Sequence, residues 1–213
     1  MGENVSGIYS ILNHPAIFNA FHRLVVKRDA RQVLVDEYVK PEPGDRLLDV
    51  GCGPASMLPY LAKVDYTGLD LEPNFVEQGR AKYGDRATFI HARVQDLAEK
   101  LHSQFDLAIA IGVLHHLDDG EAKELFRAVG KLLKAGGRLI VSDPVFRPQQ
   151  NPLARFVMAL DRGKSIRSKE GYAALAGTEL ERIRTEVRSD FLRIPYDHCI
   201  AVYQKKVISK ATL

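Results

Sequence analysis

The chain has only two cysteines, Cys52 and Cys199, among its 213 residues. That count excludes a disulfide framework and fits a reducing compartment. No apolar run approaches the roughly 18 residues a membrane span needs. The N-terminus lacks the charged-then-apolar layout of a secretory signal, so a soluble cytoplasmic protein with no membrane partner is expected. Met1-Gly2-Glu3-Asn4-Val5-Ser6 matches the loose myristoylation pattern, which is common by chance. Charge of one sign is also scarce. Thirty basic residues against 27 acidic ones leave a net charge of +3, far from the basic bias of a nucleic-acid surface. Internal repeats and low-complexity segments are absent.

What remains is ordinary globular composition, 46% apolar and 27% charged, of a size for one domain with a substantial core. From Pro15 to about Val39 no glycine or proline interrupts the chain, and Ile17, Phe18, Phe21, Leu24 and Val25 fall at helical spacing. Pro41-Glu42-Pro43-Gly44 ends that element. A regular alternation follows. Strands are predicted at Leu47–Val50, Tyr66–Leu71, Thr88–His91, Phe105–Ile111 and Arg138–Ser142. Helices are predicted at Met57–Lys63, Asn74–Tyr83, Asp96–Leu101 and from Asp119 to a stop at Gly136-Gly137. Asn151-Pro152 and Ser168 open two further helices. Residues 179–184 are ambiguous between helix and strand, Val187, Phe191 and Ile194 suggest a strand, and Pro195-Tyr196-Asp197 turns the chain into a last strand, Cys199–Gln204. Strands alternating with helices give a doubly wound, mostly parallel α/β sheet, here of seven strands and closed by an antiparallel C-terminal hairpin.

The stretch Leu47-Leu48-Asp49-Val50-Gly51-Cys52-Gly53-Pro54-Ala55 organises the rest. A buried strand runs into a glycine turn that lets the backbone approach a ligand closely. The dinucleotide fingerprint G-x-G-x-x-G fails, because Ser56 stands where the third glycine belongs. Three carboxylates instead fall at successive strand ends, converging on one crevice. Asp70 can accept both hydroxyls of a ribose, Asp96 an exocyclic amine, and Asp49 an ammonium group. So many acids suit a ligand with ammonium and sulfonium charges and disfavour a pyrophosphate. The plainer alternatives are a turn brace for Asp49 and helix N-caps for Asp70 and Asp96.

This stretch, with Gly68-Leu69-Asp70, the run from Phe105 to Leu117 and the run from Leu132 to Ile140, resembles the class I S-adenosylmethionine-dependent methyltransferases. The resemblance covers roughly residues 44–143 and, more loosely, 178–205. It implies a cofactor-binding core at 44–143, preceded by a helical cap (1–43) and followed by a helical substrate lid (144–178) and the hairpin (179–205). It implies that Asp49, Gly51 and Gly53 flank the methionine part of S-adenosyl-L-methionine. Asp70 and Leu71 would hold the ribose, Asp96 and Leu97 the adenine, and Ile111 would line the site. Ala55 departs from a glycine frequent in that family.

The acceptor is less legible. Residues 144–171 carry six basic residues against two acidic ones. This is either a solvated face or a lid that reads an anionic small molecule through Arg162, Lys164 and Arg167, with Tyr172 nearby. A base is needed only when the nucleophile must lose a proton, and His115 is the catalytic candidate, ahead of Asp143 and Tyr172. His115-His116 lacks zinc spacing, and no metal is expected. The reading is methyl transfer to a small, anionic acceptor. Its rivals are a methyltransferase of RNA or protein, a non-catalytic cofactor-binding scaffold, and a nicotinamide oxidoreductase.

Overall fold

Three apolar segments, β1 (Arg46–Val50), β4 (Phe105–Ile111) and β5 (Leu133–Pro144), form the middle of one sheet in a computed structural model that describes residues 27, 29–159 and 165–207. Their near-continuous burial is what a sheet covered on both faces requires. With β2 (Asp65–Asp70), β3 (Ala87–His91), β6 (Leu180–Arg188) and β7 (His198–Lys205), the strand order is β3-β2-β1-β4-β5-β7-β6. β7 runs antiparallel to both of its neighbours, β5 and β6. The order reverses between β1 and β4, which opens a crevice at the carboxyl ends of those strands.

Strand alternation sorts the side chains into two cores. On one face Leu47, Tyr66, Ile109, Ile140, Ile200 and Val202 pack under α1 (Ala30–Leu34), its π-helical continuation Val35–Val39, and α2 (Pro73–Tyr83). On the other, Leu48, Leu69, Ala108, Leu139 and Val141 pack under α3 (Val94–Lys100) and α4 (Asp119–Leu132), whose Leu125 and Val129 face the sheet. Alternation therefore assigns Asp49 to the first face and Asp143 to the second.

Several expected boundaries move, for physical reasons. After the glycine turn only a short 3-10 turn forms, Leu58–Tyr60, in place of a helix to Lys63; Pro59 donates no backbone hydrogen bond. α3 begins at Val94, so Asp96 occupies its first turn instead of its N-cap. Gly136-Gly137 lies inside β5 instead of closing α4, which ends at Leu132. A Cβ at Gly137 would come within 3.1 Å of the Asp106 carbonyl, beside the register shift between Phe105 and Leu107. The ambiguous residues 180–184 join β6, and Phe191 and Ile194 fall in the loop between β6 and β7. Pro152 opens α5 (Pro152–Ala159), and Ser168 caps α6 (Lys169–Ala173) by accepting from the Gly171 amide. The predicted helix from Pro15 lies outside the described residues until Lys27. Among the described residues no helix is long and apolar enough to cross a membrane.

Candidate active site

The turn after β1 is held by the strand beside it. The amides of Gly51 and Cys52 both donate to the Leu69 carbonyl, and the Gly53 amide donates to Asp70 Oδ2 at 2.7 Å. Gly51 has φ +69°, and a Cβ there would stand 2.7 Å from Val113 Cγ2, so the loop after β4 closes onto a position where no side chain fits. Ala55 adopts φ +52°, a left-handed conformation that explains a preference for glycine at this place.

Asp49 lies buried beneath this turn, its Oδ2 accepting from the Tyr66 hydroxyl at 2.6 Å. Burial, and secondarily the charge of Asp70, push its carboxyl up to about 7 despite that hydrogen bond. Asp70 ends β2 and accepts from Gly53 with one oxygen and from the Glu72 amide with the other, at 2.9 Å. Each oxygen keeps a second lone pair for a ligand hydroxyl.

A cleft of about 100 Å³ opens beside these groups, walled by Gly51, Asp70 and Leu71 on one side and by Arg93, Val94 and Gln95 on the other. Val113, Leu117 and Glu121, from the loop after β4 and the start of α4, close its third side. Leu71 is 61% exposed, an apolar side chain left bare at the cleft mouth.

Asp96 and Leu97 are not among the residues that line this cleft, and neither are Asp49, Gly53 and Ile111. Because α3 starts two residues earlier than expected, Asp96 Oδ2 accepts from the Arg93 amide at 3.2 Å as part of the helix cap. Leu97 turns into the core. Arg93, Val94 and Gln95, just before them in the chain, do line it. Ile111 ends β4 half-buried, on the Asp49 face of the sheet.

The loop after β4 carries a buried pair. Asp143 Oδ1 accepts from the His115 backbone amide at 3.1 Å and contacts His115 Nδ1 at 2.7 Å. An oxygen that already accepts from the amide sets the ring tautomer: Nδ1 carries the proton and Nε2 is the basic nitrogen. Burial raises the Asp143 carboxyl, with the His115 contacts opposing. Its Oδ2 has no partner among the described residues.

Two acceptor-side expectations are also corrected. The Arg167 guanidinium donates to the carbonyls of Leu114, Leu117 and Ser165 and to Asp119, at 2.8 to 3.0 Å. It ties the loop after β4 to the insertion and has no donor pointing at a substrate. The Tyr172 hydroxyl donates to the Pro144 carbonyl at 2.7 Å inside the core, where burial raises its pKa well above the usual phenol value. Arg162 and Lys164 lie outside the described residues. Cys52 and Cys199 are buried thiols with pKa values pushed up by burial, and among the described residues no His, Cys, Asp and Glu side chains group as a metal site.

Comparison with known proteins agrees with this geometry. A family described as a methyltransferase domain matches residues 48–139. Ubiquinone biosynthesis O-methyltransferase of Xanthomonas axonopodis pv. citri (strain 306) is 36% identical over 114 residues, covering 50% of this chain and 47% of its own length. Phosphoethanolamine N-methyltransferase 1 of Arabidopsis thaliana is 26% identical over 201 residues, covering 80% and 40%. The chain thus spans less than half the length of these relatives. Among solved structures, geranyl diphosphate methyltransferase in complex with S-adenosylmethionine superposes with a TM-score of 0.70 at 16% identity, over 96% of this chain and 93% of that one. A SAM-dependent methyltransferase from Methanosarcina mazei gives 0.65 at 18% identity, over 82% and 97%. With its glycine turn, its acid-lined cleft and its strand order, the chain has the Rossmann-like fold of the class I S-adenosylmethionine-dependent methyltransferases.

Proposed function

We propose that this chain transfers a methyl group from S-adenosylmethionine to a small, anionic acceptor by in-line displacement. The observation that carries the reading is the pair of carboxylates, Asp49 and Asp70, on either side of a turn whose Gly51 and Gly53 leave it open. Two acids at that place repel a pyrophosphate and attract an ammonium and a sulfonium. The cofactor, when bound, supplies a methyl group on a positively charged sulfur, already activated for transfer.

The chain's own residues then have defined tasks. Asp49 holds an ammonium group from beneath the turn. Asp70 accepts two ribose hydroxyls, and Leu71 covers the apolar side of the nucleoside. Gln95 offers an amide to the base edge from the start of α3, and Ile111 borders the site at the end of β4. His115 Nε2 takes the proton of an acceptor hydroxyl, while Asp143 fixes the ring and steadies the imidazolium that forms. The acceptor binds beside the end of β5, and the positive balance of the insertion favours an anion there. Arg162 and Lys164 are the cations proposed for this contact. Arg167 is not, since its donors are occupied.

Calorimetric titration with S-adenosylmethionine, S-adenosylhomocysteine and a nicotinamide dinucleotide tests the reading. Micromolar binding of the first two and none of the third is expected. Binding of the dinucleotide alone would refute it.

A further inference from the structure

Beyond Asp70 the cleft runs on between two helices that pack against each other. Arg93, Val94 and Gln95 line it where β3 gives way to α3, and Leu117, Glu121 and Leu125 line it at the start of α4. Val94 and Leu97 of α3 share a core with Leu125 and Val129 of α4, so the floor of this slot is apolar. Polar side chains on its lining are few: Asp70, Arg93, Gln95 and Glu121.

A base that carries an exocyclic amine presents a donor beside ring-nitrogen acceptors. The four polar groups differ in their power to tell that amine from a carbonyl. Arg93 has only donors and cannot accept from an amine. Gln95 has both kinds of group, and its amide turns to offer either one, so it serves a base of either sort. Asp70 spends its oxygens on the Gly53 and Glu72 amides and on the ribose. Asp96 is turned away to the Arg93 amide. Glu121 remains. Its Oε2 accepts from the Asp118 amide at 3.1 Å in the capping box of α4, and its Oε1 has no donor among the described residues. The same helix turn is held by Arg167, which donates to Asp119 at 2.9 Å, so the carboxylate is set in place before any ligand arrives.

We propose that Glu121 selects the base of the cofactor, accepting the exocyclic amine of adenine from the first turn of α4, the role that the sequence pattern gave to Asp96. The proposal rests on the methyltransferase reading and deepens it. A carboxylate only accepts, so its open oxygen favours an amine and repels a carbonyl oxygen at the same place. Gln95 then donates to a ring nitrogen from the facing helix, and Leu71 covers the apolar face of the base.

The test is calorimetric titration of the full chain with S-adenosylhomocysteine and with S-inosylhomocysteine, whose base has a carbonyl in place of the amine and a hydrogen on the adjacent ring nitrogen. Wild-type protein is expected to prefer the first by more than about tenfold, a charge-assisted hydrogen bond set against a repulsive contact. In Glu121→Gln the side-chain oxygen keeps the Asp118 amide, as a capping box allows, and the nitrogen left to the cleft is a donor. The preference should fall by at least about tenfold, through weaker binding of S-adenosylhomocysteine and tighter binding of S-inosylhomocysteine. A damaged fold cannot produce that gain. Asp96→Asn, off the cleft, should keep the wild-type preference. Equal affinity of the wild type for both compounds, an unchanged preference in Glu121→Gln, or a preference lost in Asp96→Asn instead would each overturn the proposal. Binding of neither compound to the wild type refutes the methyltransferase reading itself.

Discussion

Replacing Asp49 by asparagine should make the free protein more stable and the cofactor bind worse. Asp49 is 3% exposed, and burial is the main reason its carboxyl sits near 7 instead of 3.8. The folded state therefore holds a proton that the unfolded chain releases near pH 4. Between about pH 4 and 7 the unfolded state is the one favoured by each rise in pH, and stability falls by up to about 1.4 kcal/mol per unit. Across the window the loss approaches roughly 4 kcal/mol, and it flattens above pH 7. Asparagine has the same shape, keeps an oxygen for the Tyr66 hydroxyl, and carries no charge at any pH. Asp49→Asn should equal wild type near pH 4 and exceed it by up to about 4 kcal/mol at pH 8, on the order of 10 °C in Tm for a chain this long.

Affinity should move the other way. An ammonium group needs the ionised carboxylate, so wild-type binding of S-adenosylhomocysteine should weaken about tenfold per unit below pH 7. Asp49→Asn should bind at least about tenfold worse at pH 8, with that pH dependence gone. Thermal melts from pH 4 to 9, with calorimetry in two buffers of different ionisation enthalpy to count protons released on binding, check both limbs. A wild type whose stability is flat from pH 5 to 8, with Asp49→Asn less stable than it at pH 8, would refute the reasoning.

Asp70→Ala should lower affinity for S-adenosylhomocysteine by more than about tenfold, because it removes both the ribose acceptor and the brace on the Gly53 amide; far-UV dichroism should be unchanged, and unaltered binding would refute the assignment. Arg167→Ala should destabilise the fold by about 2–4 kcal/mol, since three backbone carbonyls lose their donor, and urea unfolding would show it with no acceptor present. Arg167→Lys should not restore that stability, because one ammonium cannot reproduce the planar fork. His115→Asn should leave cofactor affinity intact and lower kcat about 10²- to 10⁴-fold for a hydroxyl acceptor; Asp143→Asn should lower kcat and shift the acidic limb of the pH–rate profile, where the base must lose its proton, a readout that a purely structural role would leave in place.

How much of this was legible in the sequence depended on whether one segment or several had to be read at once. The strand Leu47–Val50, the glycine turn and Phe105–Ile111 each announce themselves locally by apolar runs and by residues that only a turn requires. The seven-stranded, mostly parallel sheet with its reversed hairpin followed from their alternation, and the structure has that architecture. The failures are tertiary. Nothing local distinguishes a Gly-Gly pair that stops a helix from one that lets β5 pass the Asp106 carbonyl. Arg167 reads as a surface cation, yet it is spent on carbonyls some fifty residues away in the chain. Tyr172 reads as a helix-face phenol and is buried against Pro144. Only the pairing of His115 with Asp143 turns a histidine doublet into an oriented base, and the two lie 28 positions apart.

The ring cluster of the last hairpin was illegible for a related reason. Phe191 reads as a strand residue and Tyr196 as part of a turn, and both meet His198 only when β7 inserts antiparallel between β5 and β6. That insertion brings a C-terminal loop back to the carboxyl edge, where the parallel strands present their ends. A fully parallel seventh strand would enter from the opposite edge and leave the carboxyl end of β5 without it. The reversed strand is thus more than a way to finish the sheet. It returns a loop locked by the buried Asp197 to the end of β5, the strand whose Asp143 orients His115.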